Sequence, residues 1–182
     1  MPLPLGHIAV GLAAHELSTT RSAFSRWKIF AAIVVLANLP DIDVIFGLLL
    51  QLNGSAFHRG PTHSLLFALV VGFLASKAAQ SWDWLPRLGF WSCFSLILSH
   101  VAADALLSTS AVSFFWPLET NWSTGHSGWQ DVVGMVLRGD DQDAWISISA
   151  AAVIMIHRAA RTLNAGRLIR SGSKSAGGQV RT

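Results

Sequence analysis

Long apolar stretches separated by short polar ones dominate the chain. Mainly apolar character covers residues 3–17, 29–52, 62–79, 88–107 and 144–156. A helix needs about 20 mainly apolar residues to span a bilayer, and several of these stretches approach that length. Pro40 lies inside the second stretch, where its missing backbone donor bends or breaks a helix. We therefore predict an all-α, polytopic membrane helix bundle of about five apolar helices, one of them broken at Pro40.

The composition supports a membrane protein. Only 13% of the residues are charged and 52% are hydrophobic, with a mean hydropathy of +0.47. A soluble domain carries about a quarter charged residues, so this chain lacks the charge to cover a water-facing surface. We expect membrane lipid as a partner and no nucleic acid, because the basic residues gather behind the last apolar stretch: Arg158, Arg161, Arg167, Arg170, Lys174 and Arg181.

The basic residues also predict the topology. The first apolar stretch has no Lys or Arg before it, while Arg21, Arg26 and Lys28 follow it. Because cytoplasmic loops are enriched in Lys and Arg, we expect the amino terminus outside an inner (cell) membrane and the carboxyl terminus in the cytoplasm. Residues 1–161 then form one membrane-embedded domain. Within it, residues 108–143 form an extracytoplasmic loop or lid with a short helix, and residues 162–182 follow as a basic, disordered tail.

Three polar segments interrupt this apolar background. They read NLPDID at residues 38–43, HRGPTHS at 58–64 and SHVAAD at 99–104. Polar side chains inside a membrane are costly and usually face an interior site. In the predicted topology these segments all lie towards the outer side, together with a histidine of the first helix. The residues concerned are His7, Asp41, Asp43, His58, His63, His100 and Asp104.

The acids in this set favour a bound cation. His100 and Asp104 are four residues apart and share a helix face. Asp41, Asp43 and Asp104 would repel one another in a single bundle, and a divalent ion would neutralise them. The alternative is structural: a histidine–aspartate bond between helices, aspartates that cap a half-helix, and a polar turn. With one cysteine, Cys93, a thiolate-rich site is excluded, so the donors suit zinc first, then manganese or iron.

Other polar residues have weaker claims. Arg59 beside a helix amino terminus would suit a phosphate group. His126 and Glu119 are candidates to complete the shell of a second ion. His15 lies near the inner side and His157 beside the basic tail, so neither is assigned to the site.

These motifs resemble those of the YdjM-like membrane-bound metal-dependent hydrolases. The resemblance covers residues 6–118 and rests on NLPDID, HRGPTHS, the His100–Asp104 spacing and the later Trp116-Pro117. It implies metal-linked roles for the seven histidines and aspartates of the cluster. The order of these residues is also similar to that of zinc-dependent phospholipase C. Where the family pattern has a Thr-Pro-Ser-Gly turn, residues 107–111 read LSTSA.

The resemblance to the YdjM-like family implies a metal-dependent hydrolase, and the similarity to zinc-dependent phospholipase C implies that it acts on a phosphoester of a lipid or lipid-linked substrate at the outer leaflet. Two alternatives are a non-catalytic membrane scaffold or regulator and a metal or proton transporter. In the hydrolase, Asp43 is a bridging ligand or general base, while His58 and Arg59 steady the phosphate or leaving group. The predicted metal ligands are His7, Asp41, Asp43, His63, His100 and Asp104.

Overall fold

A computed structural model describes residues 3–18, 26–107, 111–119, 128–138 and 141–176. Helices make up most of these segments, residues 111–119 form turns and irregular structure, and none of the described segments contains a β-strand. Predictions that concern Arg21, the turn at 108–110, His126 or Arg181 lie outside the described residues. The helices are α1 (Pro4–Ser18), α2 (Arg26–Asn38), α3 (Ile42–Gln51), α4 (Leu65–Ser81), α5 (Phe90–Leu107), α6 (Trp129–Arg138) and α7 (Asp141–Ala176).

The predicted break at Pro40 is a 3-10 turn. It covers Leu39–Asp41 and joins α2 to α3. Because proline lacks an N–H, the α-helical hydrogen bonding is interrupted there. A second 3-10 turn, Pro61–His63, precedes α4. The all-helical membrane bundle predicted from the sequence is confirmed.

The outside of the bundle is apolar. Arg26–Gln51, Phe90–Leu107 and Gln142–Asn164 are each long and apolar enough to cross a membrane, and α4 is a shorter apolar helix. Large hydrophobic side chains such as Val35, Val70 and Trp91 are exposed on this surface. The interior, in contrast, holds fully buried polar side chains, among them His63, His100 and Asp104. This distribution is expected of a protein whose solvent is lipid.

Close helix contacts bring the polar segments together. A Cβ atom on Gly11 of α1 would lie 2.8 Å from Cβ of Ala37 in α2, and one on Gly72 of α4 would lie 3.0 Å from Cα of Phe94 in α5. Small residues permit such close approach of membrane helices. His7 lies one turn before Gly11 on the same face of α1, so this contact carries His7 into the bundle.

Polar contacts at both ends fix α1 against α7. At the amino end, backbone N–H groups of Leu3 and Gly6 donate to the buried carboxylate of Asp143, at 2.8 and 3.1 Å. At the other end, Arg158 donates to Glu16 at 2.8 Å. A carboxylate at a helix amino terminus accepts hydrogen bonds from the free N–H groups and interacts favourably with the positive end of the helix dipole.

The expectation about the carboxyl-terminal tail needs correction. The sequence predicts a disordered tail over residues 162–182, but α7 continues through the described part of this segment to Ala176. Residues 158–168 read RAARTLNAGRL, and Ala, Arg and Leu are strong helix formers, so the helix extends beyond the apolar part. The short helix expected in residues 108–143 is α6.

Candidate metal centre

Four parts of the chain deliver polar side chains to one end of the bundle. The turn at Pro40 presents Asp41 and, one residue into α3, Asp43. Ser64 caps α4 by accepting a hydrogen bond from the N–H of Phe67 at 3.0 Å, which fixes the preceding His63. α5 contributes His100 and Asp104, and α1 contributes His7.

The first donor set consists of one ligand atom each from Asp41, His63, His100 and Asp104, all within 4.8 Å of one another. Nε2 of His63 lies 3.2 Å from Nε2 of His100, 3.3 Å from Oδ2 of Asp104 and 3.6 Å from Oδ1 of Asp41. Nε2 of His100 lies 3.4 Å from the same Asp41 oxygen. Tetrahedral ligands about 2.0–2.1 Å from zinc are about 3.3 Å apart. The spacing therefore fits a small divalent ion.

Hydrogen bonds orient both imidazole rings of this set. Nδ1 of His100 lies 2.7 Å from the carbonyl oxygen of Ala37, which can only accept, so this nitrogen carries the proton. Nδ1 of His63 lies 3.1 Å from Oδ2 of Asp43. Metal-bound histidines usually donate their other N–H to a carbonyl or carboxylate in this way. In neutral rings, both Nε2 lone pairs then face the space between His63 and His100.

The second donor set is Asp43, His58 and His63. Here the Asp43 carboxylate is surrounded by donors. Oδ2 accepts from the N–H of Arg59 at 3.2 Å and from the hydroxyl of Thr62, and Oδ1 lies 3.1 Å from Nδ1 of His58. Two roles fit this set: it binds a second metal ion, or the carboxylate of Asp43 orients the two histidines by hydrogen bonding.

His7 and Arg59 contact the centre through Asp104. Nε2 of His7 lies 3.7 Å from Oδ1 of Asp104, and its ring stacks on His100 with 3.6 Å between centroids. His7 is in neither donor set, so its role as a ligand stays a prediction. Nε of Arg59 lies 3.5 Å from Oδ2 of Asp104. Arg59 has a φ of 64°, a strained conformation that is most often kept at functional sites.

Several buried atoms of the centre have no hydrogen-bond partner among the described residues. They are both ring nitrogens of His7, Oδ1 of Asp41, Nε2 of His58, Nε of Arg59 and both carboxylate oxygens of Asp104. Such atoms are costly to bury unpaired. For the carboxylate oxygens and imidazole nitrogens, which can offer lone pairs, the donor chemistry and this shortage of partners both fit a bound cation. Nε of Arg59 is an N–H donor and fits an anion instead.

Without metal, His63 is the residue of the centre whose protonation offsets the negative charge of the aspartates. Burial alone lowers the pKa of this histidine, but its contacts with Asp104, Asp41 and Asp43 outweigh burial and hold the pKa well above the ordinary 6.5. In the metal-free protein a proton on His63 therefore partly replaces the cation.

Other residues considered from the sequence lie outside both donor sets. Glu119 accepts from the N–H of Phe115 at 3.2 Å and closes a local turn. His157 lies 3.9 Å from Glu16, far along α7 from the centre. Thr62 is the neighbour that sequence reasoning missed. Its place inside HRGPTHS was the available signal, because a hydroxyl next to a histidine can bind the same carboxylate.

Comparison with known proteins agrees with these motifs. The profile of the family described as YdjM inner membrane protein matches residues 1–165. The chain belongs to the YdjM inner membrane protein family. A relative, inner membrane protein YbcI of Escherichia coli (strain K12), is 33% identical over 120 residues, which cover 64% of this chain and 68% of YbcI. No solved structure matches the chain. Membership in the YdjM family confirms an inner membrane protein.

Proposed function

We propose that this protein is a metal-dependent hydrolase that cleaves a phosphoester of a lipid or lipid-linked substrate at the outer leaflet. The observation that carries the proposal is the pair of Nε2 atoms of His63 and His100. They lie 3.2 Å apart and are flanked by the carboxylates of Asp41 and Asp104. Acids and imidazoles at this spacing suit zinc, with manganese or iron as alternatives.

One metal ion would be held by Asp41, His63, His100 and Asp104, with His7 as the additional predicted ligand. A divalent ion in this position supplies a Lewis acid, which lowers the pKa of water and polarises a phosphoester oxygen. We assign Asp43 to support of the neighbouring histidines, because several hydrogen bonds already occupy its carboxylate. The measured number of ions tests this: one per chain is expected, and two would make Asp43 and His58 ligands of a second ion.

Proton transfer is assigned to His58. Its Nδ1 lies 3.1 Å from Oδ1 of Asp43, while its buried Nε2 has no partner among the described residues. A carboxylate behind one ring nitrogen holds the other nitrogen ready to exchange a proton. In hydrolysis, the oxygen of water bonds to phosphorus and the bond from phosphorus to the alcohol oxygen breaks. His58 would accept the proton of the water and return it to the leaving oxygen.

Arg59 is assigned to the phosphate. Its guanidinium is buried beside Asp104, and the residue is held at both backbone ends, since its N–H donates to Asp43 and its carbonyl accepts from Ser113 at 3.0 Å. Guanidinium groups bind phosphate oxygens well because their N–H donors match the geometry. A fixed arginine would neutralise the charge that develops on the phosphoryl oxygens.

The test begins with elemental analysis of detergent-purified protein. We expect bound metal in the wild type, and loss of both metal and phosphoesterase activity in His63→Ala and Asp104→Asn. His157→Ala is the matched control, since this histidine lies outside both donor sets, and should keep both properties.

The outcomes separate the alternatives. Metal retained in both site variants would refute the ligand assignment. If the protein binds metal but hydrolyses no phosphomonoester, phosphodiester or phospholipid, the proposed hydrolase activity would be refuted. The protein would then be a metal-binding protein without this activity. Metal-dependent flux in proteoliposomes would favour a transporter, and a stability loss with no stoichiometric metal would favour a scaffold.

A further inference from the structure

A cavity of about 530 Å³ adjoins the metal centre. It lies between the α2–α3 segment, the loop before Pro61 and helix α6. Ligand-binding cavities in proteins are typically about 300–1,000 Å³, mostly apolar and with a few fixed polar groups. This cavity has the size and the lining of such a site.

The polar residues of the lining are Asn38, Asp41, Ser55 and His58, and Nδ1 of His58 lies 3.9 Å from Oδ1 of Asp41. Asp41 and His58 border the cavity, and each has a buried atom without a hydrogen-bond partner among the described residues, Oδ1 and Nε2. His58 is only 5% exposed. Much of the remaining wall is aliphatic, with Val35, Ile45 and Met135 as examples. A ligand that fills the space therefore needs a polar end and a hydrocarbon part.

Helix α6 forms one wall and has the character of an interfacial helix. Val132, Met135 and Val136 line the cavity at helical spacing. A second apolar stripe of Trp129, Val133 and Leu137 is exposed, while Asp131 and Arg138 belong to the polar side. A helix with these faces lies in the plane of the membrane interface with its apolar side towards the acyl chains.

The opposite wall belongs to a membrane-spanning segment. Val35 and Ile45 are 60% and 52% exposed on the apolar outside of the protein, yet both also line the cavity. They are part of Arg26–Gln51, one of the candidate membrane spans. The cavity is thus bordered by side chains that face the hydrocarbon of the bilayer, so an acyl chain can enter from the membrane.

We propose that this cavity binds an acyl chain of a membrane phospholipid, with the phosphate at the end formed by Asp41 and His58. The proposal rests on the proposed function for the reaction at the phosphate, but the binding of the chain can be measured without any reaction. It also gives α6 a role as the wall that closes over the bound lipid.

Labelling tests the binding directly. The probe is phosphatidylglycerol with a photoreactive diazirine in its acyl chain, incorporated in phosphatidylcholine vesicles with the full-length protein. We expect labelling on Ile45 and Met135, and a fall of about tenfold in Val132→Trp, since the indole fills the cavity. Val133→Trp is the matched control, with the same change one residue away on the exposed stripe, and should label like the wild type.

A second variant and a competition with inorganic phosphate distinguish failure of acyl-chain binding from failure of the proposed hydrolase activity. Met135→Trp repeats the test if Val132→Trp does not fold, and thermal unfolding in detergent reports folding in each variant. Excess inorganic phosphate should leave labelling unchanged, because the chain and not the phosphate supplies the binding. Equal labelling in Val132→Trp and Val133→Trp, or labelling confined to residues outside the cavity, would overturn the proposal. A protein labelled in the cavity that hydrolyses no phosphoester would refute the proposed function alone.

Discussion

Nε2 of His63 and Nε2 of His100 face each other at 3.2 Å inside the bundle. The ring of His100 is fixed by its hydrogen bond to the carbonyl of Ala37, and the ring of His63 by its contact with Asp43. With both Nδ1 atoms protonated, two lone pairs converge on one space. The metal-free arrangement is therefore unfavourable unless a proton or a metal ion lies between the rings.

Removal of one ring of this pair should abolish stabilisation by metal. In the wild type, zinc at about 100 times its dissociation constant should add about 2.7 kcal/mol to the free energy of unfolding. His100→Phe keeps a flat ring of similar size but has no donor atom, so zinc should leave its melting temperature nearly unchanged. Thermal unfolding in detergent, with zinc or with a chelator, measures both. An equal zinc-dependent rise in the variant would contradict the site.

The raised pKa of His63 predicts opposite effects of pH on metal binding and on metal-free stability. Below this pKa a metal ion must displace the proton, so zinc affinity should rise by about tenfold per pH unit as pH increases. In the metal-free protein, protonated His63 contributes stability below its ordinary pKa of 6.5. That contribution should be lost as pH rises through the raised value. Competition titrations with a chelating dye and chelator-treated melts give the two curves, and a pH-independent affinity would contradict the prediction.

The polar segments of the site could be recognised from the sequence because each one interrupts an apolar stretch with residues that are unfavourable there. Pro40 must break a helix, so Asp41 and Asp43 had to lie at a break. The spacing of His100 and Asp104 predicts that both share a helix face, and the charge bias along the chain predicts that all the segments lie towards the outer side. The structure brings Asp41, His63, His100 and Asp104 together, as these patterns predict.

The supporting contacts could not be recognised in the same way. Asp143 accepts a hydrogen bond from the N–H of Gly6, which is 137 residues away in the sequence. Nothing near Asp143 in the sequence distinguishes it from the other acidic residues of its segment. The hydrogen bond from His100 to the carbonyl of Ala37 joins two helices through a backbone atom, which no sequence pattern specifies. Such contacts depend on how the helices pack, so they appear only in the folded chain.

Asp43→Asn should weaken metal binding without removing a ligand of the first set. An amide has one acceptor oxygen, whereas the carboxylate of Asp43 receives donors from His58, Arg59 and Thr62. Loss of a carboxylate behind a metal-binding histidine typically reduces affinity by about 10- to 100-fold. Calorimetric titration with zinc measures the change. Complete loss of metal would instead make Asp43 a direct ligand, and an unchanged affinity would show that it does not hold His63.

Gly72→Val should destabilise the contact between α4 and α5. A Cβ atom at Gly72 would lie 3.0 Å from both Cα and N of Phe94, which are backbone atoms and cannot move aside cheaply. Overpacking of this kind costs about 1–3 kcal/mol. Gly89→Val is the control, because a Cβ atom there meets nothing within 4 Å, and its melting temperature should change little. Equal melting temperatures for the two variants would show that the close approach is not required.

Asp143 should influence the metal centre through His7. Its carboxylate holds the N–H groups of Leu3 and Gly6 at the start of α1, immediately before His7. Loss of such a cap costs about 0.5–2 kcal/mol. We expect Asp143→Ala to reduce zinc affinity by about tenfold, with Asp143→Asn intermediate because one acceptor oxygen remains.

A double-mutant cycle separates this effect from general damage to α1. If Asp143 acts by positioning His7, Asp143→Ala should cause little further loss of zinc affinity in a His7→Ala background. Glu16→Gln is the matched control: it weakens the contact of α1 with Arg158 of α7 at the other end, so it should lower stability and leave zinc affinity unchanged. Additive losses of affinity in the cycle would mean that Asp143 and His7 act independently, and an effect of Glu16→Gln as large as that of Asp143→Ala would assign the loss to α1 as a whole.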